Sequence, residues 1–355
     1  MPAFTIDEIV IPTDVGDADA ADYVRCIEIG NAVEAIGYGT EEIAYEPAEE
    51  LTWFHSERQP RRMLAARVDG EVVARAVYET TLGDGADSAW LTVDVLPGHR
   101  DRGIGGALAD AVEQLARDDA KSKALVYVPI PEAPGPRLSA PTGYGSVRSD
   151  DPAIGFLQRR GYRLEQVERL SRLPLPVPDL AERLVAATER SGDDYELVEW
   201  IGRTPERWVD DLAVLGTRMS TDAPTAGLEE PEDVWDADRI RAADDRNERF
   251  DPRERLTAGV VHRPTGTLVG FSVISVPRQP ERAAAQYATL VLREHRGHGL
   301  GMLLKVGNLD HLARQRPGHP SVTTFNAEDN RHMLDVNEAV GFVPIGNESA
   351  WRKDL

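Results

Sequence analysis

The sequence predicts an α+β protein with α/β-like character, built from two tandem domains that each hold a mostly antiparallel mixed sheet flanked by helices. Three observations predict this fold class. The 355 residues exceed the size at which a single hydrophobic core usually stops growing. A glycine-rich heptapeptide occurs twice at one constant offset, as His99–Gly105 and His295–Gly301. Each copy joins a strand-like apolar run to an amphipathic helical run.

The first half carries its elements in a regular order. Asp69 and Gly70 lie between two apolar runs and are a strong hairpin signal. The segment Pro129 to Pro152 is rich in proline and glycine and is predicted to be an irregular loop. Asp151 and Pro152 then start a helix that stops at Gly161. The predicted strands are 63–68, 72–78 and 90–95, and the predicted helices are 104–115 and 153–160.

The second half repeats this order after a connector. Leu173–Pro178 alternates with proline and predicts a stiff, extended segment, followed by a helix at 179–190. The predicted strands are 195–200, 256–262, 267–276 and 287–292, and the later helices are 300–312 and 333–340. The domain ranges that follow are 1–175, a linker and connecting helix at 176–192, and 193–355.

Composition limits the possible functions. No apolar run approaches the roughly 20 residues that a membrane helix needs, so no membrane partner is expected. The N-terminus lacks a signal-peptide pattern and Cys26 is the only cysteine, so we expect a cytoplasmic protein whose Cys26 is a small buried apolar residue. The net charge of −21 disfavours nucleic acid and suits a cationic small molecule, although it also serves solubility alone.

The two loops have the features of an anion site. A helix that begins directly after a strand presents unpaired N–H groups and the positive end of its dipole. Glycines remove the side chains that would keep a diphosphate away, and the neighbouring arginines add charge-assisted hydrogen bonds. A Rossmann site is excluded, because the parallel βαβ setting and the downstream acidic residue are missing.

The run Val95-x-Pro97-x-x-Arg100-x-x-Gly103-Ile104-Gly105-x-x-Leu108 resembles the acetyl-coenzyme A signature of the GCN5-related N-acetyltransferase family. Val291 through Leu304 is similar to it, with Arg293 in place of the proline. Asn330 matches the asparagine that opens a later helix in the family, where the first half has Asp150. Tandem members of the family occur in actinobacteria, and the Ala/Arg/Asp-rich composition suits that origin.

This resemblance implies acetyl-coenzyme A as co-substrate and a β-bulge at Val95 or Val291 that directs backbone amides to it. The residues implied to bind it are Val95, Arg100, Arg102, Gly103, Ile104, Gly105 and Gly106 in the first half, and Val291, Arg296, Gly297, His298, Gly299, Leu300, Gly301 and Asn330 in the second. No residue spacing predicts a metal site.

The catalytic residues are harder to assign. Many family members have a tyrosine that protonates the departing thiolate, four residues before the Gly-aromatic pair; here Leu157 and Asn337 stand there. Asn337 is either a hydrogen-bond donor to sulfur or a structural residue on an exposed helix face. Tyr287 is the best-placed polar group on the strand before the second loop, or else a core aromatic.

The sequence thus predicts an N-acetyltransferase that moves an acetyl group directly, without a covalent enzyme intermediate, to a primary amine of a small molecule. The second half is expected to be the catalyst, because its loop is richer in glycine and it keeps Asn330 and Asn337. The alternative is a non-catalytic acyl-coenzyme A sensor or interaction module, which the missing acid and base would explain. The acceptor's identity and the oligomeric state have no signature in the sequence.

Overall fold

The computed structural model describes residues 4–83, 86–222, 224–229 and 232–355. The strands are β1 Thr5–Glu8, β2 Arg61–Val68, β3 Glu71–Thr80, β4 Ser88–Val95, β5 Lys123–Ile130, β6 Arg137–Ser139, β7 Ser146–Arg148, β8 Arg163–Pro174, β9 Tyr195–Ile201, β10 Glu254–His262, β11 Thr267–Val276, β12 Ala284–Val291, β13 Ser321–Ala327 and β14 Val343–Asp354. The helices are α1 Ala21–Tyr38, α2 Pro47–Phe54, α3 Ile104–Asp118, α4 Pro152–Arg159, α5 Leu180–Ser191, α6 Val209–Asp222, α7 Ala237–Phe250, α8 Leu300–Gln315 and α9 Arg331–Val340.

The chain folds into two units that are not continuous stretches of sequence. The first contains the described residues of 1–168, 225–231 and 346–355, and the second contains those of 169–224 and 232–345. The ranges predicted from the sequence are continuous. They assign the segment 346–355 to the second domain, whereas in the structure this segment is part of the first unit.

In the first unit, the sheet has the order β1-β2-β3-β4-β5-β14. All neighbours are antiparallel except β4 and β5, which are parallel. The predicted hairpin of β2 and β3 is confirmed, with φ of 51° at Asp69 and 88° at Gly70. Positive φ at both central residues is the type I′ geometry, whose twist matches that of the strands.

The second unit repeats this arrangement with the order β9-β10-β11-β12-β13, again with one parallel pair, β12 and β13. The mixed, mostly antiparallel sheets flanked by helices confirm the predicted fold class. The bulge expected at Val95 or Val291 is wrong for the described pairings: β4 keeps a regular register with β3 through Val95. In β12 the irregularity lies between Gln286 and Thr289, where that strand has one residue more than β11.

The segment from 129 to 152 is not wholly irregular, as the sequence analysis expected. Strands β6 and β7 form a small antiparallel hairpin within it, with Leu138 opposite Val147. Val147 is buried at 2% exposure, and Gly143 and Gly145 supply positive φ in the turn. The hairpin forms because this apolar anchor outweighs the high proline content on either side.

Apolar packing of helices on each sheet builds the cores. Cys26 on α1 is buried, and burial raises the pKa of its thiol to about 12, which agrees with its predicted apolar role. Over the ranges that the structure describes, no helix has the length and apolar character needed to span a bilayer.

Candidate active site

Both glycine-rich loops have the backbone that an anion site needs. Each passes through a 3-10 turn, Pro97–His99 or Arg293–His295, and then reaches a left-handed glycine that caps the next helix. The φ of Gly103 is 83° before α3, and that of Gly299 is 74° before α8. An L-residue would be strained at either position. The N–H groups in the first turn of each helix have no intrahelical acceptor and are available to an anion.

In the first unit, β4 and β5 separate beyond their first residues. Their parallel pairing covers Ser88–Trp90 against Lys123–Leu125, while β4 continues to Val95 and β5 to Ile130. A cavity of about 880 Å³ lies between the diverging strands and reaches α3, α4 and the loop at Gly103. A cleft that ends on an anion loop fits a long ligand with a diphosphate at one end.

Arg100 lies on this loop, and its guanidinium has no carboxylate partner among the described residues. Its Nε donates to the carbonyl oxygen of Val95 at 3.0 Å, which holds the side chain along the loop. Arg100 is exposed and lines the cavity, and in the described part of the chain no carboxylate forms an ion pair with it. A side-chain carbon added at Gly103 or Gly106 would meet no atom within 4 Å, so the neighbouring amides are open. Arg102 is likewise exposed.

The equivalent arginine in the second unit has a partner. Arg296 Nε donates to the Val291 carbonyl oxygen at 3.1 Å, which matches the first unit. However, its Nη2 lies 2.6 Å from Asp222, and Asp222 also pairs with Arg293 at 2.9 Å. The Asp222 side chain is only 4% exposed, so an internal carboxylate holds both loop arginines. Arg190 from α5 covers Gly299, where an added side-chain carbon would lie 3.0 Å from its Cδ.

A buried lysine also distinguishes the second unit. The repeat aligns Lys305 on α8 with Ala109 on α3, and Ala109 lines the cavity of the first unit. Lys305 is 2% exposed, with its Nζ 5.6 Å from the ring centroid of Phe342. Burial lowers the pKa of its amine to about 7. The second unit therefore has a long, buried side chain at the position where the first unit has an alanine that lines the cleft.

The other predicted residues of the second unit have varied surroundings. Asn330 caps α9, its side-chain oxygen accepting from the Met333 N–H at 3.3 Å, so its helix-opening role is confirmed. The ring of His298 lies 5.2 Å from that of Tyr195, so this imidazole packs on a tyrosine. Added carbons at Gly297 and Gly301 would meet nothing within 4 Å.

The two catalytic candidates, Asn337 and Tyr287, lie in different surroundings. Asn337 is 1% exposed and donates to Asn326 Oδ1 at 2.6 Å, so the second of its two interpretations, a structural residue on an exposed helix face, is wrong in its exposure. Tyr287 is 40% exposed, with Arg255 at 5.9 Å from its ring centroid, so the core interpretation is wrong for it. Their catalytic roles remain predictions.

A group of charged residues in the first unit was not predicted from the sequence. Arg75 Nε donates to Asp94 at 2.8 Å, and its other nitrogens lie 3.6 Å from Glu50 and 4.0 Å from Glu34. Asp94 lines the cavity, so this group borders the cleft. Arg75 and Asp94 each interrupt an apolar strand and face each other in the β3–β4 register. Aligning the two strands would have revealed the pair.

A second missed pair has no local sequence signal. Tyr38, at the end of α1, donates its hydroxyl proton to the carboxylate of Glu348 on β14. Burial raises the pKa of Glu348 to about 7, and the Tyr38 hydrogen bond opposes that shift. Burial also raises the pKa of Glu34 to about 8; Arg75 opposes this, and the carboxylates of Asp94, Glu50 and Glu348 add to it. Within the described ranges, no cluster of histidine, cysteine or carboxylate side chains has a metal-binding arrangement.

Comparison with known proteins agrees with this geometry. Residues 31–131, which include the loop at Gly103 and both diverging strands, match the model of the Acetyltransferase (GNAT) family. A mycothiol acetyltransferase of Thermobispora bispora is 30% identical over 252 residues, which cover 70% of each chain. A mycothiol acetyltransferase of Thermomonospora curvata is 30% identical over 281 residues, or 79% of this chain and 78% of the relative.

Solved structures share the fold across the whole chain. A tandem GNAT protein from the clavulanic acid biosynthesis pathway has a TM-score of 0.69 at 24% identity, covering 99% of this chain and 98% of its own. A GCN5-related N-acetyltransferase from Sphaerobacter thermophilus has a TM-score of 0.63 at 16% identity, covering 99% and 96%. The chain therefore belongs to the GNAT acetyltransferase family and is an acyltransferase with two such domains in tandem.

Proposed function

We propose that the protein transfers an acetyl group from acetyl-coenzyme A to a primary amine of a small molecule, and that the reaction takes place in the first unit. One observation carries this proposal. Arg100 and Arg296 hold equivalent places, yet Arg100 faces an open cleft with its charge free while Arg296 is bound to Asp222. Of these two arginines, Arg100 is the one that lies beside an open cleft with no carboxylate partner among the described residues.

The residues of the first unit fit acetyl-coenzyme A. The N-terminal turn of α3, with Arg100 and Arg102, would hold the diphosphate. The unpaired edges of β4 and β5 would hydrogen-bond the amide groups of the pantetheine arm. The bound co-substrate supplies an acetyl thioester. By holding the acceptor amine in the same cleft, the protein replaces a bimolecular encounter with a positioned one, and no covalent enzyme intermediate is needed.

The polar groups of the cleft suit an amine acceptor. Glu34 is more than a third exposed, at 36%, and lies with Asp94 and Glu50 around Arg75. Because the pKa of Glu34 is raised to about 8, its carboxyl group is largely neutral at pH 7, and its oxygens can accept a hydrogen bond from the acceptor amine. Because the relatives named above are mycothiol acetyltransferases, amine precursors of mycothiol belong among the acceptors to be tested.

From its loop, Asn330 and Asn337, the sequence predicts that the second unit is the catalyst. That prediction is untested, and the present proposal differs from it. The Asp222 ion pairs, the cover of Arg190 over Gly299 and the buried Lys305 support the first unit instead.

Two matched variants test the location. Arg100→Ala removes charge-assisted hydrogen bonds to the diphosphate and should weaken acetyl-coenzyme A binding roughly 10- to 100-fold by calorimetry. Arg296→Ala removes the equivalent arginine and should leave the affinity within about twofold. The opposite pattern would place the cofactor in the second unit.

Turnover separates an enzyme from a non-catalytic acyl-coenzyme A sensor. The purified chain is incubated with acetyl-coenzyme A and a panel of small primary amines that includes mycothiol precursors, and thiol release is followed. Amine-dependent release that Arg100→Ala abolishes supports the enzyme. Tight binding with no release across the panel would favour the sensor.

A further inference from the structure

We propose that Glu348, on the last strand of the chain, accepts the proton from the acceptor amine in the first unit, and that Tyr38 positions its carboxylate. The proposal rests on the proposed function of that unit. It adds a proton acceptor that lies far in sequence from the acetyl-coenzyme A motif, in a segment that the linear domain ranges assign to the other half.

Glu348 lies close to residues that line the cavity of the first unit. Strand β14 pairs with β5, and Glu348 is the register partner of Pro129, which lines the cavity. Gly37, next to Tyr38, also lines the cavity and packs so closely on Pro129 that an added side-chain carbon would lie 2.6 Å from its ring. The Tyr38–Glu348 pair therefore lies next to two residues that line the cleft, Gly37 and Pro129, on the β14 side of β5.

The surroundings of Glu348 suit a proton acceptor. The groups that face it or its partner are Tyr38 and Glu34 from α1 and Glu168 from β8, while Arg75 lies with Glu34, Glu50 and Asp94. No arginine or lysine of the described residues forms an ion pair with Glu348, so no fixed cation holds the carboxylate in its charged form. The pKa near 7 lets the group exchange a proton at neutral pH.

The proton balance is simple. The acceptor reaches the cleft as an ammonium ion, and Glu348 takes one proton from its nitrogen, which frees the lone pair for attack on the acetyl carbonyl carbon. The new carbon–nitrogen bond forms and the carbon–sulfur bond breaks. The nitrogen loses a second proton, which leaves with the thiol, and Glu348 returns its proton to solvent.

The first test is Glu348→Gln, with Glu79→Gln as its matched control. Glu79 is a carboxylate of the same unit on β3, paired with Arg61 at 2.7 Å. Glu348→Gln should lower kcat about 100-fold or more and remove the ascending limb of the pH profile near pH 7, while acetyl-coenzyme A still binds. Glu79→Gln should keep both kcat and the limb. A kcat for Glu348→Gln within about twofold of the wild type contradicts the proposal.

Tyr38→Phe gives a second readout that loss of structure alone would not produce. The Tyr38 hydrogen bond lowers the pKa of Glu348, so its removal should move the ascending limb of kcat/KM to higher pH and leave the high-pH plateau in place. An unmoved limb, or one displaced to lower pH, would count against the pair. Failure of the wild type to bind acetyl-coenzyme A would instead remove the proposed function itself, so the two failures are distinguishable.

Discussion

Single residues decide what each anion loop can bind. Arg100 and Arg296 make the same bond to a strand carbonyl, at 3.0 and 3.1 Å, and differ only in what meets the rest of the guanidinium. At Arg296 an almost fully buried aspartate already supplies the negative charge. An incoming diphosphate would have to compete with Asp222 for Arg296, and its binding would cost this buried carboxylate one of its two arginine partners.

Lys305 gives a prediction for stability. Its pKa is about 7 in the folded chain, against about 10.4 when unfolded, so the unfolded state binds more protons between these values. Burial of the ammonium therefore destabilises the fold most at pH 7 and below. Lys305→Met should stabilise the second unit, with a gain that shrinks by roughly 1.4 kcal/mol per pH unit as pH rises from 7 toward 10.

Urea unfolding of wild type and Lys305→Met at pH 7, 8 and 9 measures this gain. Lys353→Met is the matched control, because Lys353 pairs with Glu113 at 2.7 Å and its removal should destabilise the chain. A difference between wild type and Lys305→Met that does not change with pH would contradict the buried, uncharged amine.

At the level of elements, the separation of β4 from β5 creates the cleft. Gly103, which has a left-handed backbone conformation, lies at one end of that cleft. Gly103→Ala should weaken acetyl-coenzyme A binding at least ~10-fold, because the new carbon would enter the open space in which we propose that the diphosphate binds. Gly299→Ala is the matched variant: both cost about 1 kcal/mol through positive φ, and the new carbon at Gly299 also requires the Arg190 side chain to shift. Chemical unfolding checks that shared loss, and calorimetry checks affinity. Equal loss of affinity in both variants would point to two working loops.

The sequence predicted much at this scale, and the reason is local. The hairpin at Asp69 and Gly70, the glycine caps of α3 and α8 and the Asp151 cap of α4 all depend on residues a few positions apart. The Asp222 ion pairs and the Tyr38–Glu348 hydrogen bond join residues far apart in the chain. No local pattern reveals such contacts, so the sequence could not predict which loop is free.

At the level of the whole chain, the sequence repeat does not show that a strand from the second half belongs to the sheet of the first unit. Strand β14 pairs with β5 from Asn347 opposite Ile130 to Asp354 opposite Lys123, so the end of the chain completes the sheet of the first unit. A linear division into halves misses this, because a strand's sequence does not encode which edge it joins. The sheet of the first unit and its proposed proton acceptor therefore combine β1 to β5 with the distant strand β14.

The central claim is that only one of two similar loops holds the co-substrate. Calorimetric titration of the full chain with acetyl-coenzyme A tests it most directly through the number of sites. We predict one molecule bound per chain, with an affinity that falls roughly 10- to 100-fold in Arg100→Ala and stays within about twofold in Arg296→Ala. Two molecules per chain, or one that disappears with Arg296→Ala, would contradict the assignment of the active cleft to the first unit.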